Sequence, residues 1–520
     1  MKTRLCLALL VLRLLAVAAD APAKPGGKAM RTITAAELED KVRGGWAGQM
    51  VGVTYGAPTE FGFLQKTNDQ PRDWKPEELA GALDQDDLYV EMTFSDVMDR
   101  LGVNATSDDY GEAFKNSKYQ LWHANLSARR ALLRGVKGSM SGNPKYNLHS
   151  NDIDFQIESD FIGLMTPGMP VAAQRFAGRV GRVMNYGDGV YGGIFIAAMY
   201  SSAYFESDPR KVVEAGVAAI PAGSTYAHVI NDVLGWSKEN PANWKKTWQL
   251  LEDKWDRDDA CPEGALKPFN IDASLNGAYV AMGLLYGDKD FEKTMDIAMR
   301  GGQDSDCNPA SAGGILGTMI GYKAIPAKWT APLPAIADKK FSYTNYSYNT
   351  SVEKTIERTK QVVKLEGGKV EANGLVIPLQ KPVALKLEQF KPGKVMERIG
   401  FTDSRWKFSG SWQKVDKEWS VSQGSDQSGS EAVVTFKGTG AILTGTLRPE
   451  GGLFEVYLDG KSVGTRDTYN ADGERYKEGL WGDFGLPAGE HTLRVVVKGQ
   501  PFQDSAGTWV NLEDLVVFEN

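Results

Sequence analysis

Gly301-Gly302-Gln303-Asp304-Ser305-Asp306-Cys307-Asn308 separates two helical patterns, one ending near Arg300 and the next carrying Ala310, Gly313, Gly314 and Gly317. An Asp-x-Asp in a Gly-rich loop can place two carboxylates on one ion. Hard cations such as Mg²⁺ and Ca²⁺ select such oxygen ligands. The loop is not an EF-hand, because the long ligand loop with its terminal Glu is absent. Taken alone, the motif also fits a polar turn.

Two stretches far upstream carry related chemistry. Asp84-Gln85-Asp86-Asp87 stands before a helix starting near Leu88. Adjacent carboxylates repel, and they persist at low cost in solvent, at a helix N-terminus or around a cation. Glu91 lies one turn beyond Asp87 on the same helix face. Helix capping alone also explains this cluster. The second stretch, Gly52-Val53-Thr54-Tyr55-Gly56-Ala57-Pro58-Thr59-Glu60-Phe61, puts a carboxylate just after an apolar, small-residue helix. Partial desolvation there would make Glu60 a candidate general base; a solvated loop glutamate is the alternative. Thr34-Ala35-Ala36-Glu37 fits an N-cap box at the start of that helix. Gly45, Gly48 and Gly52 lower its intrinsic propensity, so their repeated use points to backbones in close approach.

Working outward, helical periodicity predicts helices near 88–101, 110–123, 171–184, 192–205, 209–219, 224–236, 274–286, 290–300, 309–321 and 353–365. Strand signals are few before residue 365. An all-α main domain over 32–394 follows. After about residue 395 the texture changes to short β runs such as Val433–Phe436 and Leu515–Phe518. Phe454, Val456 and Leu458 alternate with polar residues before the hairpin signal Asp459-Gly460. An all-β sandwich is expected over 395–520, with Lys391-Pro392-Gly393-Lys394 as the linker.

The chain has 520 residues, 42% hydrophobic and 24% charged, which is ample for a large core. Its net charge of −7 argues against nucleic-acid binding, since polyanions require a basic surface. Lys2 and Arg4, the apolar run Leu5–Val17 and Ala16-Val17-Ala18 read as a signal peptide over 1–19, followed by a flexible lead-in over 20–31. A short N-terminal anchor is the alternative. The expected location is secreted or periplasmic, with no integral membrane association. Cys6 would leave with the signal, so Cys261 and Cys307 allow one disulfide at most. His123, His149, His228 and His491 are scattered, so no His/Cys zinc site is expected. A metal would be bound by oxygen.

Together the three motifs resemble the ADP-ribosylglycohydrolase family. That family carries, in order, a small-residue helix of the type G-D-A-x-G-x-P-x-E, a T-D-D-T motif, and a D-x-D-T motif followed by a Gly/Ala helix. The counterparts here are Gly52–Glu60, Gln85-Asp86-Asp87-Leu88 and Asp304-Ser305-Asp306-Cys307. The resemblance covers roughly residues 32–365 and implies an all-helical domain holding two Mg²⁺ ions, with Mn²⁺ or Ca²⁺ as alternatives. It implies Asp86, Asp87, Asp304 and Asp306 as metal ligands and Glu60 as the residue acting on substrate or water. Gln85 could add a carbonyl oxygen. Glu158–Leu164, with Asp160, takes the place of a family substrate-pocket segment. So does Asn185–Gly193, with Asn185, Tyr186, Gly187, Asp188, Gly189 and Tyr191.

Val53 stands where the family often has Asp, Gln85 and Leu88 replace two threonines, and Cys307 replaces a third. The resemblance thus implies a metal-dependent hydrolase of a glycosidic bond in a small-molecule or oligosaccharide glycoside. A catalytically silent glycan-binding protein and a metal phosphoester hydrolase are the competing readings. In the β module, Trp406, Trp412, Trp481 and Trp509 could stack on sugar rings, with core positions expected for at least half of them.

Overall fold

A computed structural model describes residues 29–256, 260–418 and 420–520. The expected signal peptide and most of the lead-in lie outside the described residues. The helix Ala35–Gly56 starts where the N-cap box places it: Thr34 Oγ1 accepts from Glu37 N at 3.1 Å. One face of this helix carries Gly44, Gly48, Gly52 and Gly56, spaced by four and therefore stacked along one line. That line lies directly on the backbone of the antiparallel helix Cys307–Ile320 and the loop before it. A Cβ at Gly44 would stand 2.2 Å from the Gly317 carbonyl oxygen. At Gly48, Gly52 and Gly56 the corresponding distances are 2.1 Å to Gly313 O, 2.1 Å to Pro309 O and 1.9 Å to Ser305 O. These values forbid any side chain on the line. Gly45 faces elsewhere, against Leu164 and Thr318.

Around this pair, the helices Asp188–Ala203 and Ala273–Gly287 are buried along nearly their whole length and apolar on all sides, as core helices must be. The helix expected over 110–123 is two helices, Ser107–Lys115 and His123–Leu133. The first ends at Asn116. The second starts where Asp154, the first residue of the short helix Asp154–Ile157, accepts from Ala124 N and Asn125 N. A further helix, Trp244–Trp255, begins at the Asn243 cap and was not expected. The expected all-α domain begins instead with a strand, Met30–Thr34. That strand pairs with Gly374–Pro378 and so ties the two ends of the helical domain together.

The C-terminal module is all-β and antiparallel, its nine strands joined in one continuous hydrogen-bonded sheet. The hydrogen-bonded order is Lys461–Asp467, Gly452–Leu458, Arg475–Pro501, Glu431–Leu447, Val510–Glu519, Val421–Ser425 and Gln413–Asp416. Lys394–Gly400 adds to Val510–Glu519, and Lys407–Ser409 adds to Glu431–Leu447. Register shifts along Arg475–Pro501 bend that long strand, as bulges do. The Asp459-Gly460 turn is the expected hairpin; both residues have positive φ, 49° and 77°, and Leu458 pairs with Lys461. Trp406 and Trp481 are core residues, while Trp412 and Trp509 are half-buried.

The module is bolted to the helical domain. Buried Asp467 pairs with Arg130 and Arg134, and Asp472 with Arg129. Arg398 donates to the carbonyls of Pro262, Glu263 and Ala265. Gly479 and Gly482 leave room for Leu148, which a Cβ at either position would meet at 2.7 Å. No helix among the described residues is long and apolar enough to cross a membrane.

Candidate metal centre and active-site cavity

The glycine line decides where the acidic motifs meet. Gly56 ends the first helix against Ser305, so the chain leaving it runs beside the Asp304–Asp306 loop. Phe61 N donates to Gln303 O at 3.0 Å and Gln303 N to Phe63 O at 3.1 Å. Thr59 Oγ1 and Ser305 Oγ are 2.9 Å apart. Glu60 is thereby stitched to Asp304 and Asp306, and ligand atoms of the three lie within 4.8 Å of one another.

The remaining carboxylates arrive on a second helix end. Gln85 is the N-cap of Asp86–Leu101, with Asp86 and Asp87 in its first turn. Asp306 caps Cys307–Ile320. Two helix N-termini therefore converge, and their dipoles favour negative charge at this spot. Asp87, Asp306 and Cys307 form a second close group, again within 4.8 Å, and the Cys307 thiol donates to Asp87 Oδ2 at 3.4 Å. Glu60, Gln85, Asp86 and Asp304 line one cavity of about 240 Å³. Its wall is completed by Phe61, Tyr89, Trp122, His123, Asn125 and Asp154, among others. Arg475 of the β module lies over the Trp122 ring, 5.1 Å from its centroid, so the module buttresses this wall.

The electrostatics of this cluster suit a cation. Asp87, Asp304 and Asp306 are buried, and each leaves one carboxylate oxygen, Oδ1, without a hydrogen-bond partner. An unpaired buried carboxylate is costly unless it is neutralised or binds a metal. Burial, reinforced by neighbouring carboxylates, pushes the Asp87 and Asp306 carboxyls well above the usual range. Burial pushes Asp304 up to about 8. Glu60 keeps an open edge to solvent, but protein atoms crowd its head group; burial and then repulsion from Asp306 and Asp86 push it up. Solvent screens that repulsion at the open edge, so the direction is what the geometry supports. The carboxylates of the two groups, with their orphaned oxygens, fit a hard divalent cation such as Mg²⁺. Cys307 lies close enough to feel the same charges.

The other expected site residues lie elsewhere. Asp160 is buried behind the centre, where it accepts from Tyr200 OH at 2.9 Å. Its neighbour Glu91 accepts from Gln49 and from Phe161 N. Asn185 is a structural clamp: its amide donates to Ser150 O and Asp152 O, and its oxygen accepts from Phe155 N. A side chain at Gly189 would strike Asn185 and Ser150. Asp188 accepts from Tyr226 N. The Tyr191 hydroxyl accepts from Glu388 N and donates to Lys386 O, gripping the segment that leads into the linker. Gly187 packs under the same segment, and Tyr186 N donates to Ser150 O. None of these seven residues lines the carboxylate cavity. Sequence reasoning missed Trp122, His123, Asn125 and Asp154. No local signal marks them, because the contact between Asp154 and the His123–Leu133 helix start places them.

A mainly helical domain with a carboxylate centre between its first and last motifs, followed by an antiparallel β module, defines the class. The ADP-ribosylglycohydrolase family profile matches residues 34–359, and the chain belongs to that family. Among solved structures, an ADP-ribosylglycohydrolase-related protein complex is similar at 17% identity and a TM-score of 0.40, over 62% of this chain and 98% of that one. A CBM36-1 domain of a multidomain xylanase from the hindgut metagenome of Trinervitermes trinervoides aligns at 13% identity and a TM-score of 0.18. It covers 23% of this chain and 94% of that one. A Paenibacillus xanthan lyase aligns at 9% identity and a TM-score of 0.21, over 28% of this chain and 15% of that one. No curated protein matches the chain.

Proposed function

We propose that this protein is a secreted or periplasmic, Mg²⁺-dependent hydrolase of a glycosidic bond in a small-molecule or oligosaccharide glycoside. The observation that carries the reading is the trio of buried, unpartnered oxygens on Asp87, Asp304 and Asp306 beside a cavity that also holds Glu60. Asp86, Asp87, Asp304 and Asp306 would hold the metal, with the Gln85 carbonyl as a further donor. When bound, the metal supplies Lewis-acid polarisation and stabilises developing negative charge. Glu60, at the open rim, orients the attacking water and takes its proton. Tyr89 and Trp122 flank the space where a sugar ring would sit, and ring faces suit the apolar face of a sugar. The cavity is small beside the ~300–1,000 Å³ typical of drug-sized sites, so it takes one glycosyl unit with the leaving group outside. The expected N-terminal signal favours an exported glycoside over intracellular ADP-ribosylated proteins.

The test is a screen of N- and O-glycosides, ribosides and ADP-ribose conjugates, with Mg²⁺ and with EDTA. Mg²⁺-dependent release of a reducing sugar supports the proposal. Binding without turnover marks a silent glycan-binding protein. Release of phosphate instead marks a phosphoester hydrolase.

A further inference from the structure

The scattered histidines do not stay scattered. The fold brings His123, His149, Asp152 and Cys261 together, and one donor atom from each lies within 4.8 Å of every other. His149, Asp152 and Cys261 are buried. Asp152 Oδ2 stands 2.8 Å and Cys261 Sγ 3.4 Å from the same nitrogen, His149 Nδ1. The three groups thus turn their donor atoms toward one small space, which is the arrangement a cation would require.

The back of the ring is also provided for. His149 Nε2 and Glu478 Oε2 are buried, have no well-formed hydrogen bond and stand 3.3 Å apart. A metal-bound histidine typically donates its other N–H to such a carboxylate, which fixes the tautomer. Glu478 belongs to the β module. His123, the fourth donor, sits at the start of its helix with φ 42°, a region costly for a residue with a Cβ, and stacks on Phe269.

We propose that His123, His149, Asp152 and Cys261 bind one structural Zn²⁺ ion, with Glu478 orienting His149 from behind. Imidazole and thiolate donors select Zn²⁺ over Mg²⁺. Four protein ligands in a buried setting make a closed site rather than a catalytic one. Tetrahedral bonds of about 2.0–2.3 Å place ligands roughly 3.4–3.8 Å apart; the 3.4 Å between Cys261 Sγ and His149 Nδ1 already fits, and the 2.8 Å between Asp152 Oδ2 and His149 Nδ1 has to open slightly. Cys261 binds as the thiolate and its proton leaves to solvent. The ion would pin the β module to the helical domain through Glu478. It would also hold His123, which lines the carboxylate cavity.

The test uses the full-length protein with excess Mg²⁺ to fill the carboxylate centre. Loading with Co²⁺ in place of zinc should give tetrahedral d–d bands and a thiolate-to-cobalt charge-transfer band. The band should survive Cys307→Ser and vanish in Cys261→Ser, because both cysteines lie near acidic clusters and only one is proposed as a ligand. Glu478→Gln should weaken zinc binding by roughly 10–100-fold. If Cys261→Ser does not fold, mercurial titration of the zinc-loaded wild type decides: zinc should leave in step with modification of Cys261. The proposal is overturned if no thiolate–cobalt band forms, if the band persists in Cys261→Ser, or if iodoacetamide rapidly alkylates Cys261 in the zinc-loaded native protein. That last result would mark a reactive thiol instead.

Discussion

Gly52→Ala tests whether the glycine line builds the metal centre. The added Cβ would stand 2.1 Å from Pro309 O, 2.5 Å from Pro309 C and 2.7 Å from Ala310 Cα. All three are backbone atoms, so no side chain can swing away. Relief requires the two helices to part by about 1 Å. Overpacking of this kind costs about 1–3 kcal/mol, and the better helix propensity of Ala returns about 1 kcal/mol. A net loss of up to about 2 kcal/mol is expected. The functional loss should be larger, because parting the helices moves Glu60 away from Asp304 and Asp306. A misplacement near 1 Å can cost about 100-fold in rate. The assay is thermal unfolding with and without Mg²⁺, together with calorimetric Mg²⁺ titration. Gly178→Ala and Gly235→Ala serve as controls, since both are helical glycines whose Cβ would meet open space. These should be stabilising by up to ~1 kcal/mol. If Gly52→Ala behaves like the controls and its Mg²⁺ titration overlays the wild type, the glycine line does not set the site.

Glu60→Gln should lower kcat by about 10²–10⁴-fold on any substrate the wild type cleaves, with Mg²⁺ binding and melting nearly unchanged. Asp306→Asn should do the reverse. It removes one charge from a repelling cluster, so the metal-free protein should melt no lower than wild type, while the Mg²⁺-induced rise is lost. That rise is worth about 2.7 kcal/mol at a hundredfold excess of Mg²⁺ over its Kd. The interface prediction concerns Asp467. Burial opposes its ionisation, but Arg130 and Arg134 outweigh burial and hold its carboxyl below the ordinary range. A depressed carboxylate contributes stability above its unfolded value of about 3.9, and that contribution is lost as pH falls through the folded value. Asp467→Asn should therefore cost about 3–5 kcal/mol near neutrality and progressively less below about pH 4, as urea unfolding at several pH values would show.

The helix starts and the acidic motifs were legible in the chain because they are local facts. Thr34 caps the helix it precedes, and Gly48 and Gly52 signalled close packing through their poor fit to a helix. The Asp459-Gly460 turn and the alternation around it marked the β module for the same reason: hydrogen bonding and pleat act over a few residues. What that line of glycines touches was not legible. Any smooth backbone would satisfy Gly52, and only the packed domain selects Pro309. The Asn185–Tyr191 segment was ambiguous in the chain because Asn, Asp, Tyr and Gly serve a sugar and a buried turn equally well. Its polar groups were taken up by Ser150, Asp152, Tyr226 and the segment that leads into the linker. Likewise, His123, His149 and Cys261 are far apart in the chain, and their spacing carries no zinc signature. Their meeting depends on Asp154 fixing the start of one helix and on the β module pressing Glu478 against His149. Local sequence determines which groups exist and how each element begins; long-range packing decides which groups face one another, because it is settled by the shape of the whole core.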